Sequence, residues 1–275
     1  MRAMRLGLMV FTAIVGATLT LTARGQSTEA PCSTGFISMY GYGVVGKGTT
    51  PYTAKIKITF EQRLPEGNVI HSFAHLLAAR NSAGRTRSEM VSQCHRGEDG
   101  KPVLDKQINI QDLKEHTNLH WQEGSLLFMN DMKATLSHFN VPSTPPPKPT
   151  PAELAARLKA SELLQPPRSE FKNEDLGIRN IAGFEAHGSR STRTIPAGEE
   201  GNERQLVVVS EFWRSNDLGL MMLAIQDDPR RGRSVQEVEE VNTNEPLPAL
   251  FTPPEGYKLV EFKPQMEVPV TSPQL

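Results

Sequence analysis

Apolar and polar residues alternate along much of the chain. Between Pro51 and Leu64, Ile56, Ile58 and Phe60 alternate with Lys55, Lys57 and Thr59. A period of two predicts a strand with one buried face. Pro65-Glu66-Gly67-Asn68 then supplies turn chemistry. Val69 to Arg80 fits either element, because its Ala and Leu also suit a helix. Asn81-Ser82-Ala83-Gly84 breaks the pattern, and Arg85 to Cys94 reads as the returning strand. Further strands are expected at Gln107–Gln111, Thr117–Trp121, Lys133–Phe139 and Phe184–Ile195. Two later runs differ. Leu206 to Val209, continuing to Phe212 and Trp213, and Leu218 to Ile225 are apolar on successive residues, with Asn216-Asp217 as the turn between them. A strand exposed on one side would alternate, so both faces of this hairpin are expected to be covered. A helix can cover one face. The other either packs into the core or lines a ligand cavity.

The helix is expected at 152–164. Val141 to Pro151 holds six prolines in eleven residues, an extended connector rather than a strand. At its end, Thr150 and Glu153 form a capping box with Pro151 in the first helical position. Pro166-Pro167 closes the helix, and Leu154 and Leu158 are spaced to face a core. With 21 Gly and 21 Pro the chain reads as turn-rich, so the fold class is mainly β (α+β) with one or a few short helices.

The N-terminus changes the expected compartment. Arg2 and Arg5 precede an uncharged, mostly apolar stretch from Leu6 to Ala23, and Ala23 and Gly25 are small. That is the three-part pattern of a secretory signal peptide, expected over residues 1–25. A membrane anchor fits less well, because Thr12, Gly16, Thr18, Thr20 and Thr22 dilute the apolar run. Glu29-Ala30-Pro31 before Cys32 does not fit a lipoprotein. The chain is therefore expected to be exported, periplasmic or extracellular. Cleavage would remove Arg2, Arg5 and Arg24 and change the formal net charge from −1 to −4. A mildly acidic chain is a poor nucleic-acid binder. In an oxidising space Cys32 and Cys94 can pair, although two free thiols remain the alternative. The remaining segments are a flexible Gly-rich lead-in at 26–50, one domain at 51–262 interrupted by the connector (141–151) and the helix (152–164), and a C-terminal tail at 263–275.

Few residues point to chemistry. Gly41 to Gly48 contains G-x-G-x-x-G and part of a phosphate loop. Gly48 stands where Ser or Thr would reach magnesium, and a strand pattern follows where a helix is needed, so no nucleotide is expected. His71/His75 and His116/His120 are each four apart. On a strand that spacing spans about 13 Å, too far to share an ion. There is no G-x-S-x-G elbow, and Ser189 in His187-Gly-Ser-Arg has no evident triad. The run from Asp227 to Arg233 reads as a solvated turn, and Arg80, Arg85 and Arg87 beside Glu89 read as solvated surface cations rather than an anion-binding patch. No cofactor, metal or catalytic residue is expected.

Longer motifs carry a resemblance. Pro65-Glu-Gly-Asn-Val-Ile70 with Arg80-Asn-Ser-Ala-Gly-Arg-Thr-Arg-Ser-Glu89 forms the first half. Asn180-Ile-Ala-Gly-Phe-Glu-Ala186, Thr194-Ile-Pro-Ala-Gly-Glu-Glu-Gly-Asn-Glu203, Ser210-Glu-Phe-Trp213, Asp228-Pro-Arg230 and the stretch from Glu245 to Tyr257 form the second. Together they resemble uncharacterised exported proteins of Acidobacteria-type soil bacteria. These are distantly similar to the envelope lipoprotein-sorting carriers (LolA/LolB-like) and related stress-sensor domains. The resemblance implies a curved antiparallel sheet, a half-barrel, with helices on its concave side and a hydrophobic ligand. It implies no catalytic residues. It also implies a strand from Ser234 to Val241, where Val235, Val238 and Val241 are spaced like a helix but Gly232 and Asn242 bracket a hairpin strand.

The functional expectation is a non-enzymatic binding module, with a lipid or other hydrophobic ligand held at Leu206, Val208, Phe212, Leu220 and Met222. The alternative is an envelope interaction or stress-sensing protein. Its sheet would be filled by its own side chains, and an exposed edge or the connector would bind a protein partner. A hydrolase is a third reading and would need converging titratable groups.

Overall fold

The computed structural model describes residues 30–33, 48–124, 132–139, 148–163 and 169–262. The expected signal peptide, most of the Gly-rich lead-in, most of the Pro-rich connector and the C-terminal tail lie outside the described residues.

Among the described residues, twelve strands form one open, mainly antiparallel sheet. They are β1 (Tyr52–Arg63), β2 (Val69–Arg80), β3 (Thr86–Arg96), β4 (Pro102–Asp112), β5 (Thr117–Glu123) and β6 (Lys133–His138), then β7 (Glu170–Ile181), β8 (Phe184–Ile195), β9 (Leu206–Ser215), β10 (Leu220–Asp228), β11 (Gly232–Asn242) and β12 (Lys258–Phe262). One helix, α1 (Pro151–Leu163), separates β6 from β7. The sheet order is β12-β6-β5-β4-β3-β2-β1-β11-β10-β9-β8-β7. Each half is a meander, and the halves join where β1 pairs antiparallel with β11. Only β12 runs parallel to its neighbour, β6.

The ambiguous segments resolve through pairing. β2 aligns with β1 along its whole length, from Tyr52 opposite Arg80 to Arg63 opposite Val69. Cross-strand packing outweighs the weak helical preference of its Ala and Leu. The three-residue spacing of valines in β11 comes from a bulge. Val238 faces Ile56 and Val241 faces Ala54, so both point to the buried face of β1, while Val235 faces Thr59 on the other side. The extra residue between Val238 and Glu240 makes a strand look helical in sequence.

The first core gathers Ile56 and Ile58 of β1, Ala74 and Leu76 of β2, and Leu220, Met222 and Leu223 of β10. The expectation that both faces of the hairpin are covered holds for β10, where Leu220 to Ala224 are all buried, but not for β9, where Val207 is 42% exposed and Leu206, Val208 and Val209 are half-buried. The helix is not the cover. Positions 151–157 of α1 are exposed, and Leu154, expected to face a core, is 51% exposed. The capping box itself forms: the Glu153 amide donates to Thr150 Oγ1 at 3.2 Å, and the Thr150 amide donates to Glu153 Oε2 at 2.7 Å.

β2 and β3 pair only at Ala79–Arg87 and Arg80–Thr86, then diverge. Glu89 fills part of the gap by accepting from the Leu77 amide at 3.0 Å. The rest is bridged by residues 31–33. Ser33 N–H donates to Phe73 O at 2.9 Å, and His75 N–H donates to Pro31 O at 2.8 Å. Cys32 is disulfide-bonded to Cys94 on β3, with their Cα atoms 6.1 Å apart.

A second core lies under the strap between β11 and β12. Phe251, 2% exposed, packs with Ala79, Ile108, Ile110, Leu119, Trp121 and Ala134. Arg87 Nη1 donates to Leu250 O at 2.8 Å, and the Ser82 amide donates to the Glu245 carboxylate at 3.1 Å. Two of the cations read as solvated, Arg85 and Arg87, therefore hold the strap.

Candidate binding face at the β7 edge

β7 was not evident from sequence. Its first six residues, Glu170 to Asp175, include only one apolar side chain, and its apolar positions fall out of step. The cause is a bulge between Asp175 and Gly177. Gly177 takes a φ of +73°, which favours glycine, and donates its N–H to Asp175 Oδ1 at 2.9 Å. The bulge brings Phe171 (opposite Arg193) and Ile178 (opposite His187) onto one face of the sheet. They are 61% and 59% exposed.

That face continues across the next two strands. Val208 lies opposite Arg193 and Phe212 opposite Ser189. The Arg193 guanidinium stands 5.8 Å from the Phe171 ring, and that of Arg214 is 5.9 Å from the Phe212 ring. A shallow groove of about 430 Å³ runs between Asn173, Asp175, Ser189, Ser191 and Phe212. At the far end His187 Nε2 lies 3.5 Å from the Glu185 carboxylate.

The opposite face is closely packed. Trp213 lies over Gly188 and donates to Glu211 Oε1 at 2.7 Å. Arg190 donates to Glu211 Oε2 from Nε at 3.1 Å and from Nη2 at 2.7 Å. A Cβ on residue 188 would come within 2.7 Å of three Trp213 ring atoms. Gly188→Ala is therefore expected to displace the ring at a cost of about 1–3 kcal/mol. A changed Trp213 emission and a lower urea midpoint would show this; an unchanged midpoint would contradict it.

Desolvation pushes the Glu211 carboxyl up, but the hydrogen bonds from Trp213 and Arg190 outweigh it and hold the group below its ordinary value of 4.5. A carboxyl lowered by folding stabilises the fold above its ordinary range, and that contribution disappears as pH falls through the folded value. The urea midpoint is expected to fall between neutral pH and pH about 3, with a shallower fall in Glu211→Gln. Parallel profiles for the two proteins would rule out this role.

Of the five residues proposed from sequence as a hydrophobic site, Leu206, Val208 and Phe212 share one face of β9 and are half-buried. Leu220 and Met222 do not join them. Both are fully buried in the first core, with no surface open to a ligand. Phe171 and Ile178, which complete the exposed face, were missed because the bulge hides their common side. The paired histidines stay apart in role: His75 approaches Glu239 at 3.9 Å, and His116 sits in a turn beside Phe139. Among the described residues no group of three or more His, Cys, Asp or Glu is placed to hold a metal.

No family model matches the chain, and neither does any curated protein. Solved structures show a distant likeness. The MucA/MucB complex of Pseudomonas aeruginosa is similar at 10% identity and a TM-score of 0.29, over 77% of this chain and 58% of that one. The chain thus spans less than two thirds of the MucB length. A β-barrel-like DUF1849 protein of Brucella abortus is similar at 8% identity and a TM-score of 0.30, covering 73% of this chain and 100% of that one. A DUF1329 protein of Desulfovibrio piger ATCC 29098 is similar at 10% identity and a TM-score of 0.21, covering 74% and 90%. Likenesses this weak bear on neither ligand nor partner.

Proposed function

We propose that the chain is an exported, non-enzymatic binding module that takes up an extended protein segment by strand addition at β7. One observation carries this reading: β7 ends the sheet and displays Phe171 and Ile178 on a single face beside its outer edge. Strand addition draws affinity from main-chain hydrogen bonds and specificity from alternate side chains. The Cys32–Cys94 bond supports an oxidising compartment. Among the described residues no helix is long and apolar enough to cross a membrane.

A photo-crosslinker at Phe171 is expected to capture a polypeptide in cells, and one at Lys159 on α1 is not. Ile178→Asp should abolish the adduct formed beside it. Equal adducts at both positions would overturn the reading.

A second reading has its own observation. On the β11–β1–β2 face, Phe73, Thr59 and Val235 line a groove of about 390 Å³ rimmed by His71 and Arg233. That chemistry suits an amphiphile with an anionic head. Native mass spectrometry of gently purified protein would then show an adduct that Phe73→Ala removes. A bare chain, with no adduct, would exclude it.

A further inference from the structure

An edge strand that shows apolar side chains invites a second strand across it. Among the described residues none pairs with the outer edge of β7. Its charged residues are Glu170, Lys172, Glu174, Asp175 and Arg179. Charges on an edge usually repel indiscriminate pairing, but these complement themselves in one register.

In an antiparallel pair of two β7 strands, Glu170 can face Arg179 of the second copy. Phe171 then faces Ile178, and Lys172 faces Gly177. A two-fold axis perpendicular to the sheet repeats each pair. The bulge makes this register possible. In a regular strand, residues seven apart point to opposite faces and cannot oppose one another within a sheet. Here Phe171 and Ile178 align with Arg193 and His187, which lie on one face of β8. Glu170 and Arg179 align with Thr194 and Ala186, on its other face. Both pairs therefore match in face as well as in chemistry.

The neighbouring registers match less well: the two-residue slip toward shorter overlap pairs Lys172 with Glu174 but sets Phe171 against Asp175 and leaves Ile178 and Arg179 outside the pairing. A slip of one residue sets each of these side chains against the wrong face. The two-residue slip that places Phe171 opposite Asn180 also places Lys172 against Arg179. On the axis the proposed matching sets Glu174 against Glu174 of the second copy, and Asp175 against Asn173, but each carboxylate is already engaged within its own strand. Lys172 Nζ lies 3.0 Å from Glu174 Oε1, and Asp175 Oδ1 accepts from Gly177 N–H at 2.9 Å.

We propose that the strand added at the β7 edge is β7 of a second copy, in the register Glu170–Arg179 and Phe171–Ile178, so that one sheet runs through both copies. This rests on the strand-addition reading and names its partner.

Sedimentation velocity of the full chain is expected to show a concentration-dependent dimer. Glu170→Arg and Arg179→Glu should each weaken dimerisation about tenfold or more, a loss of some 1.4 kcal/mol. The double variant E170R/R179E should restore it, which a merely structural role would not do. Under oxidising conditions, Phe171→Cys combined with Ile178→Cys should give a covalent dimer, and neither single variant should. Unchanged thermal midpoints would show that the variants fold. A chain that stays monomeric at every concentration would overturn the proposal, as would a charge swap without rescue. If that monomer still forms Ile178-dependent adducts at Phe171 with another protein, only the choice of partner is wrong. If it forms none, strand addition itself fails.

Discussion

Breaking the Cys32–Cys94 bond lowers the free energy of unfolding by roughly 4 kcal/mol in the chain-entropy account of a loop this long. The bond closes a sequence separation of 62 residues, so its loss frees much of the first meander in the unfolded chain. The native state loses contacts too. Residues 31–33 lie beside β2 where β3 has turned away, and Cys32 and Cys94 belong to the first core. Without the bond, the short segment has only a few hydrogen bonds to hold it. Cys94→Ala, or reduction of the wild type, should lower the thermal midpoint by about 10 °C. Hydrogen exchange should rise first at Phe73 and His75, whose amides donate to Ser33 Oγ and Pro31 O. A reduced protein with an unchanged midpoint would show that the bond adds nothing.

Phe251→Ala is expected to cost about 3–5 kcal/mol, the range for truncating a buried aromatic residue. Phe251 anchors the strap, and the polar contacts around it depend on its seat. Arg85 and Arg87 donate to the carbonyls of Phe251 and Leu250, and the Tyr257 hydroxyl donates to Gln122 O. Once the ring is removed, the strap should lift and β12 should leave the edge of β6. Faster exchange at Lys133–His138 and Lys258–Phe262, with little change at Glu170–Ile181, would mark that release. A loss below about 1 kcal/mol would mean that the polar contacts alone hold the strap.

Both predictions concern features legible to different degrees in the sequence. The cysteine pair could be proposed from compartment and count, but not the reason for its position. That reason is the divergence of β2 from β3, which follows from pairing at only Ala79–Arg87 and Arg80–Thr86. The strap was visible only as a family-like stretch from Glu245 to Tyr257. Nothing in its local pattern says that Phe251 sits among residues 108 to 134, because that contact joins distant parts of the chain. The candidate site divides in the same way. Leu206, Val208 and Phe212 could be read as one face of a strand, but Phe171 and Ile178 could not be added to it.

The sequence by itself determined what depends on near neighbours. The alternation around Ile56 and Ile58 specified β1, and Thr150, Pro151 and Glu153 specified the start of α1. The unbroken apolar run in β10 specified that both of its faces are buried. These signals act over one strand pair of positions or one helical turn, so they survive reading without a fold. Tertiary structure alone decided the bulges in β7 and β11, the packing of Leu220 and Met222 into the first core rather than along a cavity, and the parallel placement of β12 on β6. It also decided that residues 151–157 of α1 stay exposed instead of covering the β9–β10 hairpin. Each of these depends on which strand lies alongside, and a single extra residue in a ladder reassigns the face of every side chain beyond it.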